Sequence, residues 1–89
     1  MNSPEIKQFI KEHSDLFWYI REEKKPDIPL TFLVETILIY GDVSDIKALF
    51  NLIGISKAAE VFYQQIRSSR NNYPARTAHY FSLFFPRYV

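Results

Sequence analysis

Leu30, Leu33, Val34, Ile37 and Leu38 fall at the i, i+3, i+4, i+7, i+8 spacing of one helix face, and this segment constrains the fold more than any other. Phe32 and Ile39 add apolar surface off that stripe. A helix with more than one side to bury belongs at the centre of a bundle. Nothing in the 89 residues competes with this pattern: the chain has no alternating strand, no internal repeat and no low-complexity stretch.

Shorter amphipathic runs surround the central one. Ser3-Pro4-Glu5 reads as a helix start, with a hydroxyl cap, proline in the first turn and an acid facing the positive end of the dipole. Ile6, Phe9, Ile10 and His13 continue it, and Ser14-Asp15 is expected to break it. The charged run 21–27 is expected to be a solvated loop. Gly41 should end the central helix in the left-handed conformation that glycine adopts at little cost. Asp42, with Asp45 three residues on, should cap the next helix, and Gly54 should end that one. Ser56 is expected to cap a fourth helix, and Pro86 to stop a fifth that opens near Tyr73-Pro74. These signals predict one all-α domain over 1–89, with its core in roughly 4–85 and helices near 4–13, 29–40, 43–53, 57–67 and 74–85.

Composition bears on what such a domain can do. At 47% apolar and 24% charged, the chain is globular rather than disordered. A chain this short buries only about 60–65% of its unfolded surface, so the 17% of aromatic residues supply much of the core. The absence of cysteine removes disulfides, zinc–thiolate sites and thiol catalysis together. The opening residues are too polar for a secretory signal core. Leu30–Tyr40, interrupted by Glu35, falls short of the roughly 20 residues that span a bilayer. A cytoplasmic location without membrane contact is the expectation.

Catalytic patterns fail on inventory. No H-E-x-x-H, phosphate loop, dinucleotide fingerprint or nucleophile elbow is present. His13, Ser14 and Asp15 are consecutive, so their side chains diverge and cannot form a nucleophile–base relay. His13 reads instead as a helix-end residue facing the negative dipole end, and His79 as a packed or partly exposed member of the last helix. Glu22-Glu23 lie beside Lys24-Lys25, without the fixed surroundings that acid–base work requires. The sequence therefore predicts no enzyme, no cofactor and no metal site.

Charge is uneven along the chain. Residues 61–89 carry Arg67, Arg70, Arg76 and Arg87 and no acid. That end suits an acidic protein partner, bound through Arg67, Arg70, Arg76 and Tyr73. Trp18 is expected to pack into the core, and would join that interface only if its ring is free. A second reading takes Leu49–Lys57 as the turn of a helix-turn-helix. Residues 56–67 would then be a DNA recognition helix presenting Ser56, Lys57, Gln64, Gln65 and Arg67, a thin basic footprint for nucleic acid.

Several short motifs occur in a recognisable order. Leu16-Phe17-Trp18 precedes the apolar helix ending Tyr40-Gly41-Asp42; Asp45-Ile46, Leu49 and Gly54 follow, and Thr77 stands ahead of Tyr80-Phe81. In order and spacing the chain resembles a widespread family of short bacterial all-helical proteins of unknown function, over roughly residues 14–85. It departs at Tyr19, where that family has an acid, and at Tyr73-Pro74-Ala75-Arg76, where it has a leucine-containing approach to the threonine. Members are often encoded beside nucleotidyltransferase-type toxins. The resemblance thus implies an antitoxin-like or accessory protein–protein role and supplies no catalytic residue.

Overall fold

In the computed structural model, which describes residues 2–68 and 71–88, the chain begins as its first residues dictate. The Ser3 hydroxyl accepts the Ile6 N–H at 3.3 Å, Pro4 sits in the first turn, and helix α1 runs Pro4–Glu12. The expected break follows, with His13 as the C-cap and a 3₁₀ segment over Ser14–Phe17. The His13 ring stacks on Phe9 at 4.1 Å, with Nδ1 2.8 Å from the Phe9 carbonyl oxygen and Nε2 3.3 Å from Asp45 Oδ1. It thereby ties the carbonyl end of α1 to the first turn of a helix much later in the chain.

The charged run departs from expectation. Glu22–Asp27 forms a second 3₁₀ segment lying against α1, and Lys25 is only 7% exposed. Its burial is tolerable because the ammonium donates to three acceptors: the Ser14 carbonyl at 3.1 Å, Ser14 Oγ at 2.9 Å and Glu22 Oε1 at 2.7 Å. Asn2 fastens the same stretch, its Nδ2 donating to the carbonyls of Pro26 and Ile28 at 2.9 and 2.8 Å.

Helix α2 (Leu30–Tyr40) buries Leu33, Val34, Thr36, Ile37 and Leu38, and packs against the first 3₁₀ segment, α3 (Val43–Ile53) and α4 (Ile55–Arg67). Helix α5 (Ala75–Tyr88) lies on α4. With five α-helices, two 3₁₀ segments and no strand among the described residues, the fold is all-α. No helix among them is long and apolar enough to cross a membrane. Phe62 of α4 sits where α4 and α5 meet, fully buried, with the rings of Tyr73, Phe85 and Phe81 at 5.2, 5.4 and 5.9 Å. Burying such a side chain contributes roughly 1.5–3 kcal/mol.

The helix junctions both follow and correct the sequence reading. Asp42 and Asp45 form the expected reciprocal cap. The Asp45 N–H donates to Asp42 Oδ1 and the Asp42 N–H to Asp45 Oδ2, each at 2.9 Å. The Asp45 N–H first, then the Ser44 hydroxyl, hold the Asp42 carboxyl below its ordinary value. Gly41, however, is extended (φ −77°, ψ 158°), not left-handed. Glycine is needed there for space, since a Cβ would lie 2.7 Å from the Ile37 carbonyl oxygen and 3.0 Å from Asp45 Cβ.

Among the described residues Gly54 alone takes positive φ, at +89° with ψ 141°. Its N–H donates to the Phe50 carbonyl at 2.9 Å, and its carbonyl accepts the Ala58 N–H at 3.1 Å. One residue thus closes α3 and opens α4, leaving Ser56 inside the first turn rather than capping it. Pro86 lies within α5 rather than ending it. The helix continues past the proline to Tyr88, whose ring lies 4.6 Å from that of Phe84.

Around Gly54 a Cβ would meet nothing within 4 Å, so a substitution there meets backbone strain and no clash. Gly54→Ala is expected to cost about 1–3 kcal/mol in urea unfolding followed by far-UV circular dichroism. A loss below about 0.5 kcal/mol would contradict the assigned backbone conformation.

Candidate interaction surface

The first 3₁₀ segment sends Phe17 wholly into the core, and the next residue of the chain points away from it. Trp18 is accordingly 72% exposed, which overturns the expectation that it packs inside. Its ring meets Tyr19 edge-on, with centroids 5.5 Å apart at 77°. Tyr19 is itself anchored, its hydroxyl hydrogen-bonded to Oγ1 of the buried Thr36 on α2. An exposed aromatic pair is thereby held in place from below.

Helix α2 adds the rest. Phe32, Glu35, Ile39 and Tyr40 follow one another at helical spacing on the side of α2 that no other helix covers, and Phe32 and Tyr40 are about half exposed. These residues, with Trp18, Tyr19 and Asn72, line a shallow hollow of about 380 Å³. Asn72 Nδ2 donates to Glu35 Oε1 at 3.2 Å, which fastens the segment before α5 to the rim. Four exposed aromatic rings therefore share one concave face.

The residues expected at an interface separate into three groups. Trp18 stands on this face, and Arg67 and Arg76 are exposed on either side of the segment that carries Asn72. Arg70 lies outside the described residues. Tyr73 is 7% exposed and unavailable as a contact residue, because its ring packs edge-on against Phe62 and its hydroxyl donates to Gln65 Oε1 at 2.6 Å. It precedes α5, which begins at Ala75.

The same bond removes Gln65 from the DNA-reading set. Gln65 is half-buried, and its Nε2 donates to the Thr31 carbonyl at 2.9 Å, so both ends of the amide are occupied. Ser56, Lys57, Gln64 and Arg67 do face outward, but Lys57 lies 3.6 Å from Glu60 and its charge is partly neutralised. A larger hollow, about 530 Å³, lies between α1 and the second 3₁₀ segment beside Lys7, Lys11 and Lys25. All three Lys25 N–H groups already have protein acceptors, so the buried cation of that hollow has no N–H left for a ligand. Among the described residues, no group of three or more His, Cys, Asp and Glu could hold a metal ion.

Sequence reasoning missed Tyr19, Phe32, Tyr40 and Asn72. For Phe32, Ile39 and Tyr40 a signal existed in their spacing along a second side of α2. For Tyr19 and Asn72 none did, because each acts through a partner remote in sequence. No protein-family model, curated protein or solved structure matches this chain.

Burial pushes the Tyr73 phenol above its ordinary value of 10.0, and the Glu35 carboxylate adds to the rise. Below about pH 10 the phenol is neutral whether the chain is folded or not. Above it, the unfolded chain gives up the proton while the folded chain keeps it, so stability falls as pH rises. Tyr73→Phe is expected to cost about 0.5–1.5 kcal/mol at neutral pH through the lost Gln65 bond, and to flatten the decline in urea stability between about pH 9 and about pH 11. An unchanged alkaline slope would show that Tyr73 does not couple to folding.

Proposed function

We propose that this chain is a non-catalytic, cytoplasmic protein–protein interaction module that docks its partner on the Trp18 face. The observation that carries this reading is the gathering of Trp18, Tyr19, Phe32 and Tyr40 around one hollow, with Tyr19 pinned to Thr36. Exposed aromatic clusters of this kind mark interaction sites, and Trp and Tyr are the side chains that most often anchor them. A platform held in place before binding loses less entropy on association. Arg67 and Arg76, in a stretch free of acids, favour an acidic partner and speed its encounter. The resemblance to the bacterial helical family supports the specific form of this proposal, an antitoxin-like or accessory protein for a nucleotidyltransferase-type toxin.

The experiment compares wild type, Trp18→Ser/Phe32→Ser and Arg67→Glu/Arg70→Glu/Arg76→Glu against the partner that wild type co-purifies. Both Trp18 and Phe32 are substantially exposed, so the aromatic double variant should keep its unfolding midpoint while affinity falls about tenfold or more. The arginine variant should weaken binding chiefly at low salt. Undiminished capture by the aromatic double variant would remove the Trp18 face as the binding site.

A further inference from the structure

Helix α5 buries Phe81 and Phe85, and a second stripe on the same helix faces outward. Tyr80, Leu83, Phe84, Arg87 and Tyr88 recur at i, i+3, i+4, i+7, i+8, and Tyr80, Leu83 and Tyr88 are each more than half exposed. The rings are ordered by one another. Phe84 stacks on Tyr80 at 5.9 Å and on Phe50 of α3 at 5.9 Å, with interplanar angles of 20° and 21°. A hollow lies on each side of the Tyr80–Phe84 pair. One, of about 120 Å³, reaches over Val43, Ile46 and Phe50 to Lys47. The other, of about 310 Å³, extends over Leu83 and Tyr88 to Arg87. The first depression is apolar and the second mixes ring faces with polar groups; separated by the Tyr80–Phe84 ridge, each can take one anchor side chain of an amphipathic helix.

Charge selects the occupant. Lys47 and Arg87 are the only charged residues lining the two hollows, and neither forms an ion pair among the described residues. A second copy docked symmetrically by this face would bring two further cations and no carboxylate from the lining of its hollows. A neutral helix would leave both unpaired. We propose that the α3–α5 groove docks an amphipathic helix of a partner protein, with apolar anchors along one face and Asp or Glu flanking them. The groove shares no lining residue with the Trp18 face, so the protein has two docking surfaces that fail or succeed independently.

The test uses a fluorescein-labelled helical peptide of about five turns, with leucines at i, i+3, i+4 and i+7 and flanking glutamates, beside a twin carrying lysine in place of glutamate. Each is titrated with the full chain by fluorescence anisotropy at about 0.05 M and about 0.5 M salt. The glutamate peptide is expected to bind at least about tenfold more tightly than its twin, with the advantage shrinking at high salt. Lys47→Glu/Arg87→Glu should reverse the preference, and Trp18→Ser/Phe32→Ser should leave it unchanged. Equal binding of the two peptides, or binding of neither, overturns the proposal. So does loss of binding in the Trp18 variant, which would place the peptide on the other face. A monomer–dimer equilibrium in sedimentation that Tyr80→Asp abolishes overturns it in favour of a second copy of the chain.

Discussion

Helix α2 has a single charged residue, Glu35, in its 11 positions, so no side of it is well solvated. Everything else is arranged around that constraint. The first 3₁₀ segment, α3 and α4 each cover part of its circumference; α5 packs on α4 and meets Phe50 of α3, and α1 packs on the second 3₁₀ segment with its end tied to α3 through His13. The covering elements are short, and they leave the Phe32–Tyr40 side in water. The candidate surface is thus the part of an apolar helix that this domain is too small to enclose.

Specific polar contacts decide how the covering elements meet. The Asp42–Asp45 cap sets the start of α3, and the free oxygen of Asp45 reaches His13 at the end of α1. Lys25 joins the second 3₁₀ segment to Ser14 at the opening of the first. Gln65 bridges the Thr31 carbonyl and the Tyr73 hydroxyl, and so ties α2, α4 and the approach to α5 together. The Lys25 contacts satisfy a charge that would otherwise be buried without partners, and each of the contacts selects one packing among many that hydrophobic burial alone would allow.

The features legible in the sequence were those fixed by near neighbours. The Ser3 cap, the Asp42–Asp45 pair, the stop at Gly54 and the stripe on α2 all depend on residues within one or two turns. The misreadings share the opposite property. The sequence places Lys25 in solvent because its Ser14 acceptors lie 11 positions away, and offers Tyr73 as an exposed contact because Gln65 and Phe62 cannot be paired with it from sequence. Trp18 and Phe17 are adjacent apolar rings, and only the tertiary environment decides which of them turns inward. Ser56 was a plausible cap until the one-residue Gly54 junction moved the helix start ahead of it.

The outward turn of Trp18 also governs what light reports about this protein. It is the sole tryptophan, and its indole already faces water in the folded state, against Tyr19 and away from the phenylalanine cluster. Its emission wavelength will therefore shift little when the chain unfolds, because the solvent around the ring scarcely changes. A partner covering the Trp18 face would transfer the indole into a drier environment. In this chain intrinsic fluorescence is an optical gauge of occupancy, and the integrity of the fold must be followed by the helical amide signal instead.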